Sequence, residues 1–178
     1  IRDSVASRGL GDVYKRQPGS GSAPLDETIA AVARDLGEVA RPFGVSIAAD
    51  SEELTVAAPT QVVRRCLVAL TDNAIDHAPA GSTVTIVGAA RGADAVVTVS
   101  DSGDGIQGIS PDRVFDRFAQ GATPATARGA ARTSRGIGLA LVRELCAAHG
   151  GSVGVASSGP GGTTFELSFP LADRNGDE

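Results

Sequence analysis

The sequence predicts an α+β two-layer sandwich of helices and antiparallel strands. Three observations carry this reading. Apolar residues recur at helical spacing in three segments, short β-branched runs come in pairs around turn residues, and few strand–helix–strand crossovers intervene. With 178 residues, 42% of them hydrophobic, the chain is long enough for one domain with a real core.

Each element has its own justification. Residues 1–22 show no sustained periodicity and end in Gly-Ser-Gly-Ser, so they are read as a non-domain segment. Asp12 to Gln17 back-translates to a transposon-end adapter of the kind used in sequencing libraries, so residues 1–17 are expected to be read-through, with a linker as the alternative. The domain is expected over 23–172. Leu25, Ile29, Val32, Leu36 and Val39 mark a first helix, ended by Pro42 to Gly44. Val45 to Ala48 and Leu54 to Ala57 are expected to form a hairpin across a polar turn. A second helix spans Pro59 to His77, with Val63, Leu67, Leu70 and Ala74 on its core stripe. Strands follow at Thr83 to Ala89 and Ala95 to Ser100, then a short helix at Pro111 to Phe118. Ala119 to Arg135 is low in complexity and expected to be mobile. A helix from Gly138 to His149 and strands at Ser152 to Ala156 and Thr163 to Phe169 complete the domain, and 173–178 is expected to be a disordered tail.

Composition narrows the function. The formal net charge of −5 argues against a general nucleic-acid-binding surface. An acidic domain can still hold a nucleotide through backbone amides, a metal and a few cations. Cys66 and Cys146 fall within apolar helical patterns and read as buried small hydrophobes in a reducing compartment. No apolar run approaches the roughly 20 residues that span a bilayer, and no signal peptide is read, so the chain is expected to be soluble.

Four segments could carry chemistry. Asp101-Ser102-Gly103-Asp104-Gly105-Ile106 follows a strand; its acid can accept the exocyclic amine of adenine, and its glycines let backbone approach a ring. Guanine would set a carbonyl against the same carboxylate. A plain turn is the competing reading. Asn73, with Asp76 and His77 three and four residues later, could serve a magnesium–triphosphate site, since Mg²⁺ takes one or two protein oxygens and the rest from phosphate and water. Arg135-Gly136-Ile137-Gly138-Leu139 places two glycines before a helix, whose free N–H groups attract phosphate. Gly161-Gly162-Thr163-Thr164-Phe165 opens the last strand with a hydroxyl that could join a water between Asp101 and a base.

In order and spacing these segments resemble the ATP-binding domain of bacterial sensor histidine kinases. Leu70 to Ala74 matches the asparagine box of that family, Asp101 to Ile106 its first glycine box, and Phe115-Asp116-Arg117-Phe118 its phenylalanine box. Gly136 to Leu139 matches the second glycine box, and Gly162 to Phe165 the final strand. The resemblance covers about residues 23–171. It implies the Bergerat fold shared with gyrase, mismatch-repair and chaperone ATPases: a mixed, mostly antiparallel sheet, helices on one face, and a flexible ATP lid.

The same resemblance implies the roles. ATP and Mg²⁺ are the expected cofactors, with Asn73 as metal ligand and Asp101 as adenine reader. Gly103, Gly105 and Ile106 would shape the base pocket. Gly136, Ile137, Gly138 and Leu139 would hold the phosphates, and Thr163 the adenine water. Phe115 and Phe118 would anchor the lid base; by pattern alone both are core aromatics. Arg128, Arg132 and Arg135 in the lid are candidates for the γ-phosphate, and Asn73, His77 and Arg135 for the catalytic set. The expected partners are a dimerisation domain carrying the phosphoacceptor His, which no segment before Leu25 resembles, and a response regulator. No nucleic acid and no direct membrane contact are expected. The expected location is the cytoplasmic end of a membrane-bound sensor.

Three departures from the family pattern qualify this. Ala69 stands where an Asn is usual, and where gyrase-like relatives place a water-activating Glu, which argues against autonomous hydrolysis. Asp76 replaces a common cation, and Ser134 a common Gly. A degenerate nucleotide-binding pseudokinase and an anti-sigma-type serine kinase are the competing readings.

Overall fold

A computed structural model describes residues 21–119 and 138–172. Strand β1 (Ala23–Pro24) leads directly into helix α1 (Leu25–Ala40). Asp26 and Glu27 lie in its first turn, where acids complement the helix dipole, and Thr28 Oγ1 donates to the Pro24 carbonyl at 2.6 Å. A 3₁₀ turn, Arg41–Phe43, closes on Gly44 and leads to β2 (Ser46–Ser51). Then come β3 (Thr55–Val56), α2 (Thr60–His77), β4 (Thr83–Arg91) and β5 (Asp94–Ser100). After the second described stretch opens, α3 (Gly138–Ala148), β6 (Ser152–Gly159) and β7 (Gly162–Pro170) complete the domain.

The main sheet has the order β2-β4-β5-β7-β6. Its pairings are antiparallel except β2 with β4, which is parallel. The sheet is therefore mixed and mostly antiparallel, and the three helices cover one face of it. Alternation decides which face. Val84 and Ile86 of β4, Ala95, Val97 and Val99 of β5, and Phe165, Leu167 and Phe169 of β7 are all buried. Between them Thr85, Thr98, Ser100, Thr164, Glu166 and Ser168 point to the other face, where Ser100 and Thr164 hydroxyls pair at 2.9 Å. The helices supply the opposing layer through Leu25, Ile29 and Val32 of α1, Val63, Leu67 and Leu70 of α2, and Val142 of α3.

Two sequence expectations fail here. Residues 45–57 are not a hairpin: β2 runs on to Ser51 and pairs in parallel with β4, Ser46 opposite Thr83. Its supposed partner β3 pairs instead with β1 and bridges to Leu171 at the end of β7. The polar stretch after Ala49 resembles a hairpin turn, but the parallel partner lies beyond α2, where local pattern gives no hint of it. Second, Pro111 to Phe118 is no helix beyond one 3₁₀ turn, Pro111–Arg113. The rest is turns, held by Phe115 in the core and by ion pairs from Asp116 and Arg117 to Arg143 and Glu144 of α3. The low-complexity stretch lies almost wholly outside the described residues.

Candidate nucleotide site

Asp101 extends the core-facing row of β5 one step past the strand end, after Ala95, Val97 and Val99. Thr163, the second residue of β7, takes the first place in that strand's core-facing row, ahead of Phe165. Both are buried, with 8% and 6% exposure. The Asp101 N–H donates to the Thr163 carbonyl at 2.9 Å, and the Thr163 N–H reaches Asp101 Oδ1 at 3.4 Å. Gly103 N–H also donates to Oδ1, at 2.8 Å. Among the described residues Oδ2 accepts no hydrogen bond, which leaves one carboxylate oxygen for a ligand donor.

Burial holds the Asp101 carboxyl above its ordinary value of 3.8, against the opposing pull of the Gly103 and Thr163 N–H groups and of His77. An acid kept in this state is a sensitive acceptor: ionised it takes an amine proton, protonated it becomes a donor.

Three close approaches shape the loop after Asp101. A Cβ on Gly103 would lie 2.5 Å from the His77 carbonyl oxygen, so the end of α2 packs directly on this glycine. Gly105 has φ +79°, and a Cβ there would lie 2.5 Å from the carbonyl oxygen of Gly159. Gly162, with φ +121°, sits against the Asp101 carbonyl, where a side chain has no room. The loop is thus held between α2 and the β6–β7 turn. The sequence singled out Gly103 and Gly105; Gly162 appeared there only as part of a strand signature.

Asn73 is half-buried one turn before the end of α2, and its amide makes no hydrogen bond among the described residues. Its carbonyl oxygen is the hard donor type that Mg²⁺ accepts. A single amide oxygen of this kind fits an ion that takes most of its ligands from phosphates and water. His77 is exposed at the helix end, with its carbonyl on Gly103 and its charge felt by Asp101. Ala69 is half-buried one turn before Asn73. The structure therefore brings Asp101, Gly103, Gly105, Ile106, Thr163 and the end of α2 together.

Gly138 and Leu139 open α3, which packs against α2. Arg128, Arg132, Arg135, Gly136 and Ile137 lie outside the described residues. The two phenylalanines part company. Phe115 is buried and meets Phe165 edge-to-face at 5.9 Å. Phe118 is not a core aromatic, as its pattern suggested: it is 73% exposed, with φ +62°. It lines a shallow pocket with Arg117, Ala140, Leu141 and Glu144. The bonds of Arg117 to Glu144, at 2.7 and 3.1 Å, hold the turn against α3 in an orientation that turns Phe118 outward.

Residues 59–173, more than half of the chain, match the family model described as histidine kinase-, DNA gyrase B-, and HSP90-like ATPase. The chain belongs to this family. Sensor protein IrlS of Burkholderia pseudomallei is 43% identical over 115 residues, which are 65% of this chain and 24% of IrlS. Sensor-like histidine kinase SenX3 of Mycobacterium tuberculosis is 40% identical over 104 residues, 58% of this chain and 25% of SenX3. The chain thus spans about a quarter of the length of these relatives. Full-length ShkA, solved in complex with AMPPNP, superimposes with a TM-score of 0.68 at 28% identity, covering 85% of this chain and 31% of ShkA. The catalytic domain of histidine kinase ThkA shares the fold, with a TM-score of 0.69 at 22% identity over 84% of this chain and 94% of ThkA. The family membership covers the helix with Asn73, the Asp101 loop and the last two strands in one match.

Proposed function

We propose that this domain binds ATP with Mg²⁺ and donates the γ-phosphoryl group to a histidine on a dimerisation domain outside this chain, as the catalytic part of a sensor histidine kinase. The carrying observation is the buried Asp101, anchored through Oδ1 by Gly103 and Thr163 and open at Oδ2, within a family of ATPases. The adenine amine donates to Oδ2. Guanine presents an acceptor at the same position and is disfavoured, because a buried acceptor facing another leaves both unpaired. Thr163 holds its hydroxyl beside the base, and the Gly103–Ile106 backbone forms the wall.

Asn73 would supply one oxygen to a bound magnesium ion, whose charge would offset that of the phosphates. In the transfer, the bond between Pγ and the β–γ bridging oxygen breaks and a P–N bond to the acceptor imidazole forms. ADP leaves, and the imidazole nitrogen loses its proton to solvent. The chain's contribution is positioning and charge complementarity. Ala69 offers no group to activate water on the face of Asn73, so hydrolysis without the acceptor is slow. A response regulator then takes the phosphoryl group from that histidine. This reading sets the chain on the cytoplasmic side of a sensor; among the described residues no helix is long and apolar enough to cross a membrane.

The test supplies the protein with Mg-ATP labelled at the γ position and a separately produced dimerisation-helix pair carrying its acceptor His. The expected result is acid-labile label on the helix pair, lost with Asn73→Ala together with the Mg²⁺ dependence of ATP affinity. Absence of Mg-ATP binding by calorimetry, with no label transferred, overturns the reading.

A further inference from the structure

The pairing of β6 with β7 slips by one residue between Val155 and Ser157. Val155 stands opposite Phe165, yet Ser157 stands opposite Thr164 and Ser158 opposite Thr163. Ala156 is the extra residue of a β-bulge, and such bulges re-aim the side chains that follow. Without it Ser157 would face Thr163; with it Ser158 does. The hydroxyl of Ser158 accepts the Ile106 N–H at 2.7 Å and lies 3.4 Å from Thr163 Oγ1. Asp101 Oδ1 ties the start of the loop to β7 through the Gly103 and Thr163 N–H groups; among the described residues Ser158 makes the corresponding tie at the loop's far end. One residue further on, Gly159 meets Gly105 backbone to backbone.

We infer that Ser158 is a positioning residue of the nucleotide pocket, fixing the end of the Asp101–Ile106 loop against Thr163 so that the base wall is set before the ligand arrives. This rests on the nucleotide reading above and adds to it a residue that the sequence did not single out. Ser158 is itself exposed, so its loss leaves no buried cavity in the fold. The loop, by contrast, loses its only side-chain tether at Ile106 among the described residues. Pre-organisation lost in this way is recovered from binding energy, so the effect falls on affinity.

The test compares Ser158→Ala, Ser158→Thr and Ser157→Ala in the full chain. Calorimetry with Mg-ATP reads affinity, thermal unfolding without nucleotide reads stability, and amide hydrogen exchange reads the Ile106 N–H. Ser158→Ala should weaken Mg-ATP binding by about three- to tenfold, the usual worth of one hydrogen bond, with Tm unchanged and Ile106 exchange several-fold faster. Ser158→Thr should restore both readouts, and Ser157→Ala should leave both as in the parent. Unchanged affinity in Ser158→Ala, or an equal loss in Ser157→Ala, overturns the inference. A parent protein that fails to bind Mg-ATP refutes the nucleotide reading instead; unchanged Ile106 exchange in Ser158→Ala would then still refute the tether.

Discussion

Asp101 and Thr163 are bonded to each other in both directions, backbone N–H to carbonyl at 2.9 Å one way and backbone N–H to carboxylate at 3.4 Å the other. They stand where the core-facing rows of β5 and β7 run out, so the packing that builds the core also delivers a carboxylate and a hydroxyl to its edge.

The first prediction concerns that carboxylate. Asp101→Asn keeps an oxygen for the Gly103 and Thr163 N–H groups but turns an NH₂ toward the base. ATP affinity should fall roughly 10- to 100-fold, the cost of one buried donor facing another. Calorimetry at pH 7 checks this, and an unchanged affinity removes Asp101 from the base-reading role.

The same residue sets a pH dependence. An acid whose pKa is raised on folding holds its proton more tightly in the folded state, so its contribution to stability is fullest below 3.8. That contribution declines as pH rises from 3.8 through the raised folded value. Urea unfolding of the ligand-free protein should show this decline, and Asp101→Asn should flatten it. ATP binding should move the opposite way, weakening as acid protonates Asp101.

The two phenylalanines of the 115–118 turn should separate in stability measurements. Phe115→Ala empties a buried site against Phe165 and should cost about 3–5 kcal/mol. Phe118→Ala removes an exposed ring and should stay within about 0.5 kcal/mol of the parent. Chemical unfolding of both variants decides; equal losses would contradict the outward placement of Phe118.

Cys66 and Cys146 are both fully buried, one on α2 and one on α3. The neighbouring Cys66 thiol, together with burial, pushes the Cys146 thiol well above the usual range. A thiol reagent at neutral pH should find neither cysteine in the folded protein and both after unfolding. Rapid native reaction at either one would contradict the packing of α2 on α3.

The three helices were legible because each carries a long apolar stripe. Asn73, Asp101 and Thr163, by contrast, became candidates only through the order and spacing of five short motifs, each of which alone reads equally as a turn or a solvated residue. What failed was non-local. The partner of β2 lies across α2, and the two-residue strands β1 and β3 are too short to show any period. Phe115 and Phe118 share a motif, yet only a turn held by Arg117 and Glu144 decides which one is inside. Ser158 was missed because strict alternation counts Ser157 onto the pocket face, and one bulged residue reverses the count.

The parallel pairing of β2 with β4 has a mechanical consequence. It makes α2 a crossover, anchored in the sheet before its start and after its end, so Asn73 rides on a segment that cannot slide unless an edge strand peels away. The base wall across from it is a loop, pinned at Asp101, Gly103 and Ile106. Of the two jaws that would grip a nucleotide, one is fixed by the sheet's own connectivity and the other by the few hydrogen bonds that hold its loop, so a single substitution can loosen only the second.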